Sequence, residues 1–388
     1  MTAILAWLAC TCQPDPAITS AFAEAEARAL AAPGPPGEDW TPDLVLHLGS
    51  ATVAELVEAG LAEADRAVSR EVPVGLGITV GADLELTGVV LGPGGCARCM
   101  EATASLAGTV GWTHPALGKG SVPVDVRAVL DVEIETDAAP KAYVIRAVPR
   151  TVRSVDLSVP RLPASLLDHA EPKVREWVAD GLADVPPFRI AQIARTEVPV
   201  RAFRIRPEGA GLRVEMLSEA NDPGRVPIRD PGLTSGWQLD ASARSVLAIA
   251  RREAFARPHQ PFDLVPVPES LAIDGSRFSL GLRLWRLSAP GWWRDYTATG
   301  TVEVVFGEIE LSAERVDEGA RSPGAGRADP LALLAEGVIV DTITGVLQRT
   351  VPASGATTVR GYRAEVAVER IGGRKGTIEV GGSLAVRK

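Results

Sequence analysis

From Val124 to Glu135 the chain reads Val-Asp-Val-Arg-Ala-Val-Leu-Asp-Val-Glu-Ile-Glu, an almost unbroken alternation of apolar and polar residues. A period of two places successive side chains on opposite faces of a strand, so one face can be buried and the other wetted. The same pattern runs from Val72 to about Val159, again clearly in Leu84-Glu85-Leu86-Thr87-Gly88-Val89, with turns at Gly92–Gly95 and Ala138–Lys141. It predicts an antiparallel meander. Long helical patterns interrupt the strands, and the meanders are too short for a closed pore, which argues against an outer-membrane barrel.

Before the meander, Leu44-Val45-Leu46-His47-Leu48 reads as a short strand. Ser50 then offers an N-cap for a helix over Ala51–Arg66, with Val53, Leu56, Val57 and Leu61 on one stripe. After it, a long helix is expected over Ala164–Ala183, with Leu166, Trp177 and Val178 on its apolar side and a kink or break at Pro172. Strands near Phe188 and over Val200–Arg206 close this half, and Glu219–Pro227 reads as a linker. The order then recurs. Trp237–Leu239 is extended, Asp240 or Ser242 caps a helix to about Ala256 that carries Val246, and strands run from Phe262 to Arg315. A second long helix is expected over Asp329–Gln348, with Leu334, Val338 and Ile339, before a hairpin across Gly372–Lys375. With 388 residues, two domains are comfortable. The boundaries read as 39–218 and 236–388, joined by 219–235. The repetition is one of element order rather than of residues.

The N-terminal ten residues, MTAILAWLAC, are apolar and end on Cys10 after Leu8-Ala9. That resembles the end of a bacterial lipoprotein signal, although no Lys or Arg precedes the apolar run. The expectation is a signal or lipoprotein segment over 1–12 with Cys10 lipidated, a tether over 13–38, and an exported protein, periplasmic or membrane-anchored. The Ala/Glu-rich stretch before Ala32–Gly37 has the composition of a short helix.

A net charge of -9 provides no clustered basic surface for nucleic acid. Hydrophobic residues reach 46% beside 23% charged, which is enough apolar material for a large core and for a ligand as well. Cys96 and Cys99 follow a glycine-rich turn with no second ligand pair, so a hairpin-tip disulfide, free thiols, and a metal or redox site remain open there. Trp292 and Trp293, after Pro290-Gly291, suit either a membrane contact or inward packing at the sheet end. The four histidines share no ligand spacing and read as surface or satisfied core residues. Glu133 and Glu135 read as solvent-facing. No catalytic constellation, cofactor loop or metal cluster is expected: Gly372–Thr377 departs from a phosphate loop in both spacing and context, and no G-x-S-x-G motif occurs.

This double succession of helix, meander, long apolar helix and hairpin resembles the tubular lipid-binding superfamily, of the bactericidal/permeability-increasing protein kind. The resemblance covers about Asp39 to Lys388 and rests on order and pattern. It implies an α+β fold of two curled antiparallel β-sheets, each wrapped around a long amphipathic helix and arranged as a pseudo-repeat. It also implies a lipid ligand (phospholipid, sterol or other acyl lipid), a membrane surface as partner, and carriage of lipid at or between envelope membranes. Carried over, it makes Leu166, Trp177, Val178, Leu334, Val338 and Ile339 lipid-binding walls. The stripes of the shorter helices add Val53, Leu56, Val57 and Val246. The alternatives are a non-catalytic structural or interaction lipoprotein with a packed core, a pair of helix-grip domains binding a small ligand, and a hydrolase whose site residues lie far apart in sequence.

Overall fold

The structure is a computed structural model that describes residues 14–62, 67–75, 78–94, 96, 99–114, 118–138, 142–158, 176, 188–194, 200–256, 264–325, 344, 355–359 and 362–387. Alternating sequence becomes strand throughout. A short strand β1 (Leu44–Leu48) precedes a meander of β2 (Ala67–Gly75), β3 (Ile78–Pro93), β4 (Cys99–His114), β5 (Gly118–Ala138), β6 (Ala142–Ser158) and β7 (Phe188–Ala194). These six pair in sequence order as one antiparallel sheet. A hairpin of β8 (Val200–Glu208) and β9 (Gly211–Ser218) follows. The order then repeats with β10 (Trp237–Ser242), a four-stranded sheet of β11 (Leu264–Asp274), β12 (Arg277–Arg286), β13 (Trp292–Val305) and β14 (Glu308–Arg321), and the closing strands β15 (Gly355–Val359), β16 (Tyr362–Arg374) and β17 (Thr377–Arg387).

The third sheet overturns the expected architecture. β1 and β10, the opening strands of the two halves, pair antiparallel about Leu46 and Leu239. Around them the closing strands assemble a seven-stranded sheet in the order β15-β16-β17-β10-β1-β9-β8. The chain thus forms three antiparallel sheets, not two sheets each wrapped around a long helix. Among the described residues the helices are α1 (Pro16–Leu30), α2 (Ser50–Ala62) and α3 (Ala243–Ala256), of 15, 13 and 14 residues. The segments expected as long helices, 164–183 and 329–348, fall almost wholly outside the described residues, as do Leu166, Trp177, Val178, Leu334, Val338 and Ile339. The physical reason for the difference is that period two identifies a strand but not its partner. Leu44–Leu48 and Trp237–Ser242 are short and deeply buried, as inner strands are, and each pairs on both edges.

The region expected as a tether also folds. Asp15 caps α1, its side chain accepting from the amide of Ala17 at 2.9 Å, and Pro16 occupies the first turn. Asn221 donates to the last carbonyls of the helix, at Arg28 and Ala29. Ile18, Phe22 and Ala29 pack on Phe255, Val265, Val267 and Trp285 of the second half. The Phe22 ring lies edge-on to Phe255 and Trp285 at centroid distances of 5.3 and 5.6 Å.

The main core lies between the central sheet and the four-stranded sheet. Leu44, Phe203, Trp237 and Leu239 meet Phe278, Leu280, Leu282 and Leu284 there, with Val246 and Ala250 of α3 fully buried among them. No helix of 18 residues or more among those described is apolar enough to cross a membrane.

Candidate functional site

The six-stranded sheet is unusual in its length and in what lines it. β5 has 21 residues, about 70 Å of extended chain. One face carries Ala82 and Leu84 on β3, Ala102 and Leu106 on β4, Val124, Val126, Ala128, Leu130 and Val132 on β5, and Val152 and Val155 on β6. Every side chain in these two clusters is aliphatic, and most are Ala or Val. The main core, by contrast, is wedged with Phe203, Trp237, Phe278, Trp292 and Tyr296. Short aliphatic side chains thus make this face apolar along its length and free of polar groups, the chemistry that hydrocarbon requires. From Val124 to Ile134 this strip runs for about 35 Å along β5.

The other face is polar, and it carries two clusters of ion pairs. Arg150 reaches Glu133 at 2.8 Å and Glu135 at 2.7 Å, and Arg153 reaches Asp131 at 2.7 Å and Glu101 at 2.8 Å. Both arginines are the extra residue of a bulge in β6, since Val129 and Leu130 of β5 face Ser154 and Val152, and Asp131 and Val132 face Thr151 and Pro149. Thr87 is a third such residue, between Leu86 and Gly88, and its hydroxyl donates to the carbonyl of Ser105. Each bulge adds local twist and bends its strand, so a sheet this long curls instead of lying flat. Glu133 and Glu135 are therefore outward-facing, as read from the alternation, but each is held by Arg150.

Among the described residues the second half offers no comparable strip. Val246 is a core residue with no exposure, and α3 packs directly on the sheets around it. In α2, Val53 is buried and Leu56 is 38% exposed; Val57 lies on the same helix. Trp292 and Trp293 open β13 and are not loop residues. Trp292 is 4% exposed within the main core, and Trp293 is half-buried beneath the Arg283 guanidinium, 4.1 Å from its ring. Cys96 and Cys99 are joined by a disulfide. Cys10 lies outside the described residues. No group of three or more His, Cys, Asp or Glu side chains is placed to hold a metal ion among the described residues. Among the described residues, a cleft of about 240 Å³ beside the start of α2 has a mixed lining, with Glu55, Glu369 and Arg370 beside Leu233, Trp237 and Leu384.

The polar group that sequence reasoning passed over is His47. Leu44, Leu46 and Leu48 face the main core, so His47 faces the other side of the central sheet, where it is 1% exposed. Its Nδ1 lies 2.6 Å from Glu208 Oε2, and its Nε2 lies 3.7 Å from Asp240 Oδ2 with no partner at hydrogen-bond distance. Arg213 joins Glu208 to Glu215 at 3.0 Å each, and Arg204 also pairs with Glu215 beneath Trp40. Burial is the largest single influence on His47 and lowers its pKa, but the carboxylates of Asp240 and Glu208 together outweigh it and hold the pKa above the ordinary 6.5. The available signal was the lone polar residue in Leu44–Leu48, whose alternation sends it away from the leucines.

No family model and no curated protein matches the chain. Among solved structures it is similar to P47 from Clostridium botulinum A2, at 9% identity and a TM-score of 0.45, covering 88% of this chain and 97% of that one. It is also similar to P47 of Clostridium botulinum E1, at 11% identity and a TM-score of 0.43, covering 89% and 100%. A lipopolysaccharide binding protein matches at 11% identity and a TM-score of 0.35, covering 89% and 99%. All three TM-scores lie below 0.5. The functional reading therefore rests on the chain's own residues.

Proposed function

We propose that this chain binds lipid acyl chains against the aliphatic face of its six-stranded sheet and carries lipid at or between envelope membranes, without catalysing a reaction. The observation that supports it is the continuous lining of Ala, Val and Leu across β3 to β6, backed by a solvated face of ion pairs. Hydrocarbon held there gains about 0.8 kcal/mol per buried methylene, so binding needs no polar recognition. A phospholipid, a sterol or another acyl lipid meets that requirement equally. Export belongs to the same reading, with Cys10 as the lipidated residue of a periplasmic or membrane-anchored protein. Transfer of a fluorescent phospholipid between donor and acceptor vesicles should accelerate with protein concentration. Transfer at the spontaneous rate, together with an organic extract of the protein free of lipid, would rule the reading out. The filled core around α3 favours the second reading, a structural or interaction protein, and that result would leave it standing.

A further inference from the structure

At one end of the molecule the β11–β12 turn touches the β16–β17 turn on one side and the β13–β14 hairpin on the other. The amide of Val302 donates to the carbonyl of Ser276 at 2.8 Å, and Gly275 and Gly373 exchange hydrogen bonds of 2.8 and 3.0 Å. These contacts set the β11–β12 turn beside both the β13–β14 hairpin and the β16–β17 turn. Thr301 faces Arg277, the first residue of β12, and beyond it β13 continues to Val305 paired with β14. The β13–β14 turn therefore reaches about 13 Å past the end of β12.

Two of these turns share one backbone geometry. Phe306 and Gly307 have φ values of 51° and 81°, and Lys375 and Gly376 have 50° and 81°. Two consecutive residues at positive φ are what a two-residue hairpin of type I′ requires, and Asn-Gly or Asp-Gly satisfies it with least strain. Here the first position holds a phenylalanine in one turn and a lysine in the other. Phe306 is 102% exposed, so no packing offsets its left-handed backbone. Folding gives no reason for an aromatic ring at that position.

The chemistry around it is specific. Glu303, Glu308 and Glu310 are exposed beside Phe306, with Glu303 directly opposite Glu310, an arrangement that destabilises a hairpin. Arg374 and Lys375 are exposed on the β16–β17 turn. Among the described residues none of these five forms an ion pair. Carboxylates and an aromatic face attract an ammonium group, quaternary ammonium above all, while Arg and Lys attract phosphate. An exposed ring also favours the headgroup boundary of a bilayer. Both charges of a zwitterionic phospholipid are matched, whereas an anionic surface would repel the three glutamates.

We propose that this end of the molecule, with Phe306 at its apex, docks on a zwitterionic phospholipid surface. The inference deepens the carrier reading and rests on it for its purpose, since it names the surface at which lipid would enter or leave. Co-sedimentation of the full chain with phosphatidylcholine vesicles, and with phosphatidylglycerol vesicles, tests it. Wild-type protein is expected to bind the first and to bind the second more weakly. Phe306→Asn should weaken phosphatidylcholine binding at least about tenfold, and Lys375→Asn about fivefold. Asparagine suits positive φ, so both variants keep their turns and their fold. Unchanged binding by Phe306→Asn, a preference for phosphatidylglycerol, or capture of a protein through Phe306 without vesicle binding would each overturn the proposal. Lipid extracted from the same preparations separates the two readings. Phe306-dependent docking by protein that carries no lipid would sustain the docking and end the carrier reading.

Discussion

Ala128→Trp should strip lipid from the purified chain while leaving it folded. Ala128 is 2% exposed at the middle of β5, facing Ala104 on β4 and Val155 on β6. If hydrocarbon lies over this strip, an indole takes its place: lipid in an organic extract falls at least about tenfold, and the Tm matches that of delipidated wild type. A filled core behaves differently. Overpacking it costs about 1–3 kcal/mol, which lowers the Tm by several degrees. A destabilised variant that keeps its full lipid content would count against the binding strip. The two measurements together separate a ligand wall from ordinary core, which burial alone does not do.

The second large effect is expected at His47. Removing it as His47→Ala takes away the partner that Glu208 and Asp240 share, leaving Glu208 with Arg213 and Asp240 with Gln238, at a cost of about 1–3 kcal/mol. The pH dependence has a definite sign. The folded pKa of His47 is raised above the ordinary 6.5, so the folded state binds its proton more tightly than the unfolded chain does. That stabilisation is fully present below about pH 6.5 and is lost as the pH rises through the folded value. The groups facing the ring are Glu208 on β8, Arg213 and Glu215 on β9, and Gln238 and Asp240 on β10, with Arg370 of β16 bonded to Gln238. Wild-type Tm should therefore fall from about pH 6.5 upward, and His47→Gln should lack that fall. Parallel profiles for the two proteins would show that His47 is neutral in the fold.

The strands were legible because their signal is local. From Val124 to Glu135 each residue declares its face by its own polarity, and β5 obeys that pattern from Val124 to Ile134. Strand partners were not legible, because pairing is non-local. Nothing in Leu44–Leu48 or Trp237–Ser242 states that they bond to each other, and that single pairing turns two expected wrapped sheets into three. The docking of α1 was hidden for a related reason. Ile18, Phe22 and Ala29 form a thin stripe in an Ala/Glu-rich segment, and its receptor at Val265, Val267 and Trp285 lies over two hundred residues away. For the Trp292-Trp293 pair the sequence leaves a membrane contact and inward packing both open, and it is strand alternation that sends the two rings to opposite faces. At the candidate site, the aliphatic alternation was visible in sequence, but its contrast with the aromatic core emerged only when both sheets could be compared. Phe306 left no trace in periodicity, since its importance lies in a backbone angle and in full exposure.

The central claim is that the long sheet holds hydrocarbon against its aliphatic face. Native mass spectrometry of the purified full-length chain addresses it directly. The account predicts discrete added mass corresponding to one or a few acyl lipids, displaced when a competing lipid is supplied. A spectrum showing the bare polypeptide alone, unchanged after incubation with phospholipid, would contradict it.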